Sequence, residues 1–514
     1  MSDDGAYASQ VRLAESGDWG YHDGPSWGTP STSRPTLGKS SVVDGVEYPY
    51  IKHPAWIHVL RAADQLNLPI LGMCVVNVLA AVVAAVVAGH LAGPSRLTSV
   101  IAFWTVALGP PLVWSLGLWA HAVACALGAV IAWCMVRWRE QGQPGWVVAA
   151  ALAVSCLVLV RTEGMLLVPA VGAVLALHAW ERRRDGRALA SAVVAGFGVL
   201  AAASAARAMD LRLVGSVAPG AEIPAPTSDH PWLAGRWSGF EATFLSGGFN
   251  HRDYTVGVLA LFLVAVGAAT WRRRPAEGIG AVVVGAGVVL VAARAVMGWD
   301  QLIQGFFAAA PALAFGLVGI RWTRGSVKER TLVVFAATYG AAVIATQYPD
   351  GGATEWGGRF LAPVVVPLAV LASMGVSRFV ETSRGRAITS RSAVLAITTL
   401  LIVLPVLPAL GSTNSNRSTH AAVVADLRSA DVDAAIGTFP TLPLLLWPTI
   451  GEVPWTVTGP EASEQLPALV ERALQTGEER LAVVGYTVDP SEVEGLGYEV
   501  EQRSRHILVL TVEQ

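Results

Sequence analysis

An all-α polytopic membrane domain followed by a small C-terminal α/β domain is the fold class the sequence predicts, and three observations predict it. Only 14% of the 514 residues are charged while 53% are hydrophobic. A soluble domain is roughly a quarter charged, so this chain has too few charges to coat a water-facing surface. Long apolar runs recur from residue 68 to residue 410, and the basic residues between them fall almost wholly in every second connection. That sorting is how loops on the cytoplasmic side of a membrane are marked. The net charge of −2 gives no overall basic field, so the expected partner is the lipid bilayer and not nucleic acid.

A membrane-crossing helix needs about 20 mostly apolar residues. Such runs lie at 68–93, 97–114, 118–136, 144–161, 163–180 and 187–209, and after a polar stretch at 255–272, 278–296, 306–320, 330–347, 360–380 and 391–410. About twelve spans result, some short enough to be kinked. One set of connections holds Arg96; Arg137 and Arg139; Arg182, Arg183, Arg184 and Arg187; Arg272, Arg273 and Arg274; Arg321, Arg324 and Lys328; and Arg378, Arg384, Arg386 and Arg391. The other set is richer in Trp, Gly, Pro, Asp and Glu. Taking the basic set as cytoplasmic puts residues 1–67 and everything after 410 outside. An outward N-terminal segment of that length needs an export device, so a leading transmembrane helix ahead of Met1, a thirteenth, is expected.

Three stretches outside the spans differ in character. Residues 1–67 form a first extracytoplasmic loop with an acidic motif, a Ser/Pro/Gly-rich middle and an amphipathic juxtamembrane stretch from Trp56 to Leu66. The 210–254 connection reads as a long loop carrying Trp232, Trp237, Phe240 and Phe244. Residues 411–514 alternate helix-like and strand-like runs, with strands at AAIGTF, LAVVGY and HILVLTV, and read as the α/β domain. The four cysteines, Cys74, Cys125, Cys134 and Cys156, all sit in apolar runs without metal-ligand spacing, which argues against disulfides and a zinc site.

Few motifs carry chemistry. Asp3 and Asp4, followed by Tyr7, offer paired carboxylates: either a general base with a group that orients it, or a solvated terminus. Arg161 and Glu163 stand between two apolar runs with no long loop to solvate them. Charges there are costly unless paired or facing a cavity, so they read either as a structural intramembrane ion pair or as part of a functional site. Arg359, in EWGGRFLAP, either binds a phosphate bidentately or extends to lipid headgroups. Lys52 and His53 precede Pro54, and His121 follows Trp119 at the start of a span. No Walker lysine motif, HExxH or GxSxG occurs in a credible context.

In their order, these motifs resemble the GT-C superfamily of membrane glycosyltransferases, which includes protein O-mannosyltransferases and aminoarabinose transferases. Asp3, Asp4 and Tyr7 match the family's acidic pair and following tyrosine, and Lys52, His53 and Pro54 match its Lys-His-Pro-like stretch. RTEGMLLVP is similar to its Arg-Pro-Glu-Gly element, and WGGRFLAP looks like its Trp-Gly-x-Arg element. The resemblance implies a sugar donor linked to polyprenyl phosphate, an extracytoplasmic acceptor and inversion at the anomeric carbon. It makes Asp3 the base and Asp4 its partner. Arg359, with Arg161, would bind the lipid phosphate, Glu163 would belong to the same substrate-binding set, and Tyr7, Lys52 and His53 would assist at phosphate or acceptor. A divalent cation stays open, because metal dependence varies across the superfamily. A transporter or flippase of lipid-linked or polysaccharide substrates is the alternative. Against it, no two halves of the chain repeat, and the unusual charges cluster at one face.

Overall fold

The computed structural model describes residues 2–17, 19, 40–43, 46–49, 53–66, 72–218, 232–245, 251–274, 279–297, 305–321, 325–346, 358–382, 388–439, 442–449, 452–458, 462–485, 488–493 and 498–512. Packing divides the chain into two units: 70–210 with 226–413, and 1–69 with 211–225 and 414–514.

The first unit is the helical membrane domain. Among the described residues eight helices are long and apolar enough to cross a membrane, and Gly145–Val160 and Ile279–Arg294 are shorter apolar helices. The chain is a multi-pass membrane protein. Every apolar run of the sequence has a helical counterpart, though two are irregular. The run at 306–320 is broken at Ala310 into Phe306–Ala309 and Pro311–Leu317, because Pro311 has no N–H to continue the first helix. The run at 330–347 becomes Val327–Thr346, whose first turn carries Lys328, Glu329 and Arg330. The span Arg359–Glu381 is the central one, with 89% of its most apolar window buried. One apolar core wraps it with the helices from 72 to 206 and Val327–Thr346. A second packs its far end against His251–Arg273, Ile279–Met297 and Ile388–Val403.

The basic connections meet at one end of this bundle. Arg139 donates to Thr331 Oγ1 at 2.8 Å and pairs with Glu181, which also binds Arg330 at 3.0 Å. Arg378 grips Glu329 with both guanidinium nitrogens at 2.5 and 2.8 Å, and Lys328 donates to the Ala92 carbonyl at 3.1 Å. Arg272 donates to the Val318 carbonyl at 2.6 Å. These bonds link elements flanking all six connections that the sequence sorts as basic.

The second unit holds the segments read as extramembrane. Its first element is the helix Ser2–Ser16, where a loop was expected. Asp3 and Asp4 fall in its first turn, where carboxylates favour the positive end of a helix dipole. It packs against the helix Pro54–Asp64, and Arg61 Nη1 donates to the Ala14 carbonyl at 3.0 Å. Between them β1 (Ser40–Val43) and β2 (Val46–Pro49) form a hairpin.

The C-terminal part is an α/β sheet of β3 (Ala434–Gly437), β4 (Trp455–Val457), β5 (Arg480–Val484), β6 (Tyr498–Ser504) and β7 (Ile507–Val512), in the order β4-β3-β5-β7-β6. The first three run parallel and β7 and β6 add antiparallel. Leu481 and Val483 face the helix Ala462–Thr476 through Leu466 and Val470. Ala482 and Val484 pack with Val423 and Leu427 of the helix Val406–Ala430. A sheet covered on both faces needs the near-continuous apolar strands seen here. The 210–254 connection is also more regular than a loop, with the helix before it running to Val217, a helix Trp232–Phe240 and a π-turn Glu241–Leu245.

Candidate functional site

The end of the membrane bundle opposite the arginine networks gathers the charged motifs of two distant segments. The helix His121–Gln141 has His121 at one end and Arg139 near the other, ~27 Å apart at 1.5 Å per residue, close to the ~30 Å of a bilayer core. At the His121 end, Trp119 and His121 lie stacked, with ring centroids 5.2 Å apart and planes 7° from parallel. The Arg359 guanidinium stands 5.0 Å from the Trp119 ring centre, and that of Arg161 stands 5.6 Å from it. One indole thus receives two guanidinium groups from positions nearly 200 residues apart. Cations are drawn to the negative face of an aromatic ring, tryptophan most of all, and that attraction does not cancel their charge.

Local sequence explains each placement. The helix Gly145–Val160 stops at Arg161, whose backbone is extended, and the chain re-enters helix through the 3-10 turn Thr162–Leu166. Arg161 still donates its backbone N–H to the Leu157 carbonyl at 2.7 Å, but the ladder ends there, and its Nη2 donates to Glu163 Oε1 at 2.6 Å. Arg359 opens another 3-10 turn, Arg359–Val364, directly after Gly358. Gly358 has φ 60°, and a Cβ there would press on Phe306 and the Thr243 carbonyl, so only glycine makes this turn without strain. On the facing helix Gly128 lies against the backbone of Pro363, where any Cβ would overlap it. That absence of a side chain lets the Arg359 turn close onto the helix that begins at His121.

Two buried polar side chains brace the arrangement. Asn77 Nδ2 donates to the carbonyls of Gly117 and Trp119, both at 2.8 Å. Tyr339, fully buried, donates its hydroxyl to the Phe360 carbonyl at 3.0 Å. Neither was singled out from the sequence. The signal for Asn77 was present, because a lone asparagine in the apolar run LGMCVVNVLAAVV has to find a partner. Tyr339 gave none, since a tyrosine inside an apolar run reads as packing.

Of the residues singled out from sequence, the structure brings together Trp119, His121, Arg161, Glu163 and Arg359, and adds Asn77 and Tyr339. Tyr7 and His53 belong to the other unit. Tyr7 is buried in Ser2–Ser16, one helical turn after Asp3. His53 is buried and precedes Pro54–Asp64 with φ 54°, an uncommon left-handed conformation for a residue with a side chain. The side chains of Asp3 and Asp4, and all of Lys52, Glu355, Trp356 and Gly357, lie outside the described residues. Among the described residues no group of three or more His, Cys, Asp or Glu side chains is placed to hold a metal ion.

The fold is similar to two solved structures of ArnT from Cupriavidus metallidurans. The apo structure aligns over 99% of this chain and 92% of that one, with a TM-score of 0.54 and 13% identity. The structure bound to undecaprenyl phosphate aligns over 99% and 93%, with a TM-score of 0.51 and 14% identity. The chain has the ArnT fold. No family model matches the sequence, and no curated protein matches it. At such identities the likeness is one of fold, and the residues at Trp119 have to supply the chemistry.

What they bring together is two guanidinium groups and one carboxylate around a single indole. Two guanidinium groups offer planar, multiple N–H donors matched to the oxygens of a phosphate. Arg161 is oriented by Glu163, and Trp119 is fixed from behind by Asn77. The Arg359 guanidinium lies near two rings, 5.0 Å from the centre of Trp119 and 5.1 Å from that of the adjacent Phe360.

Proposed function

We propose that the chain is a glycosyltransferase that moves a sugar from a polyprenyl-phosphate donor to an extracytoplasmic acceptor, a cell-envelope glycan, lipid or protein, with inversion. The observation that carries this reading is the convergence of Arg161 and Arg359 on Trp119 in a chain with the fold of ArnT, a protein solved with undecaprenyl phosphate bound. A polyprenyl phosphate reaches such a site from within the membrane, its chain in lipid and its phosphate at the bilayer face.

The two arginines bind the phosphate of the donor. As the bond between the anomeric carbon and the phosphate oxygen breaks, the electron pair goes to that oxygen, and the guanidinium groups stabilise the charge gathering there. The acceptor hydroxyl or amine attacks the anomeric carbon from the opposite face and inverts it, and its proton passes to the Asp3 carboxylate. Asp4 orients Asp3 or the acceptor. Tyr7, Lys52 and His53 contribute contacts to acceptor or phosphate.

Sugar transfer by the purified protein, with labelled polyprenyl-phosphate sugar as donor, tests this. Asp3→Asn should lower transfer by roughly 10²–10⁴-fold, the usual worth of a general base, while the protein still inserts. Retained transfer in that variant removes Asp3 from the mechanism. Movement of substrate across sealed vesicles with no glycosidic product would replace the enzyme reading with transport.

A further inference from the structure

A groove on the membrane domain lies apart from the Trp119 site, between the helices Thr162–Glu181 and Gly186–Val217. It has a volume of about 630 Å³, and its walls include Gly172, Leu175, Ala176, Ala192, Gly196 and Phe197. It stays open because small residues face one another: a Cβ at Gly172 would meet nothing within 4 Å, and one at Gly196 would reach only Leu175 at 3.7 Å. One wall runs from Leu189 to Leu200, ~17 Å along the helix axis. That is about half of the ~30 Å hydrocarbon core, the depth of a single leaflet.

The groove is apolar along its length and cationic at one end. There Arg183 lies over the Trp180 ring, 5.0 Å from its centre, and both side chains are exposed. Arg182 and Arg184 are exposed in the same turn, and Arg187 is exposed at the start of the next helix. Asp185, in their midst, accepts from the Arg187 and Ala188 amides and caps the next helix, while Glu181 is engaged by Arg139 and Arg330. An exposed tryptophan beside arginines is the usual marker of headgroup level.

We propose that this groove is a binding site for one anionic phospholipid, with an acyl chain between the two helices and the phosphate at Arg183 and its neighbouring arginines. Charge selects the occupant. A zwitterionic lipid offers the same chain with no net charge for four guanidinium groups. A second copy of the chain in the same membrane orientation would bring a like cluster against this one, which opposes docking.

The test is native mass spectrometry of the full chain, purified in detergent, stripped of lipid and titrated with phosphatidylglycerol or phosphatidylcholine. The wild type should hold one phosphatidylglycerol, about tenfold more tightly than phosphatidylcholine, as expected for arginines at a headgroup. Gly172→Phe, placed where there is room, should abolish that bound lipid at an unchanged melting temperature. Arg183→Glu, an exposed change, should remove the preference for phosphatidylglycerol. Equal retention of the two lipids by wild type overturns the proposal. So does undiminished binding in both variants, or a wild-type dimer that Gly172→Phe disperses. If Gly172→Phe proves unstable, the Arg183→Glu arm decides.

Discussion

The two ends of the membrane bundle use arginine in opposite ways. At one end, Arg139 and Arg378 are matched with carboxylates of other helices, Glu181 and Glu329. These pairs fasten four helices and neutralise one another. At the other end, Arg161 and Arg359 stand over a shared tryptophan, and the carboxylate that binds Arg161, Glu163, lies two residues along the same chain segment instead of on another helix. The same helices contribute to both ends: His121–Gln141 carries His121 and Arg139, and Arg359–Glu381 carries Arg359 and Arg378. The difference teaches that residue type alone does not mark function in a membrane. Arginines bonded across helices tie the frame together, and arginines gathered on one indole ring mark the candidate site.

The sharpest way to break this contrast is to remove one arginine from each end. Arg359→Ala should lower sugar transfer by roughly 10²–10³-fold with the melting temperature nearly unchanged, the scale seen when a charge-stabilising donor is lost. Arg378→Ala should do the reverse. It leaves the Glu329 side chain, only 3% exposed, without its partner. Breaking a fully buried pair costs roughly 3–5 kcal/mol, and the part-exposure of Arg378 pulls the loss toward the lower figure. Thermal unfolding and transfer assays on both variants separate the two roles; equal effects would erase the distinction.

Gly128→Val sharpens the contrast by acting on position instead of charge. The added side chain meets the Pro363 backbone and displaces the Arg359 turn, so transfer and stability should fall together. Asn77→Leu removes the two bonds that fix the Gly117–Trp119 segment, with an expected loss of about 1–3 kcal/mol and a smaller loss of transfer. An unchanged melting temperature there would mean that the segment is held by other contacts.

The smallest effect belongs to the exposed pair Arg428–Glu452, 2.7 Å apart in the second unit. Hydrogen bonds from Arg428 hold the Glu452 carboxyl below its usual range. A depressed folded-state pKa contributes stability that is fully present above the unfolded pKa and is lost as the pH falls through the folded one, so the pair's contribution fades across and below the ordinary carboxylate range. Carbon-detected NMR titration should show Glu452 returning to that range in Arg428→Ala, with stability barely changed, as for exposed ion pairs in general.

Much of this was legible in the sequence because hydrophobicity and charge act locally. Apolar runs marked the membrane helices, and the sorting of arginines anticipated that Arg139, Lys328 and Arg378 meet at one end. The motif resemblance pointed to Arg161, Glu163 and Arg359, although spacing could not reveal that one indole joins them. What stayed hidden depends on contacts distant in sequence. Gly128 is needed only because Pro363 arrives from more than 200 residues away, and Tyr339 matters only because Phe360 offers a carbonyl there. The helix Ser2–Ser16 was read as loop because its apolar face is short and its glycine and serines are weak helix formers. Packing against Pro54–Asp64 overrides that local preference. The strands β4 and β6 were missed for the same reason: three residues in one, and a charged YEVEQRS in the other, show too little pattern without their neighbours.

The central claim is that Arg359 and Arg161 form the polyprenyl-phosphate site, and the most direct test is binding. Undecaprenyl phosphate titrated into the purified full-length chain should quench Trp119 fluorescence, measured as the difference between wild type and Trp119→Phe. Arg359→Ala should weaken that binding at least about tenfold, in line with the ~1.5–3 kcal/mol of a charged hydrogen bond, while Arg378→Lys leaves it unchanged. Equal affinity in wild type and a folded Arg359→Ala would contradict the account.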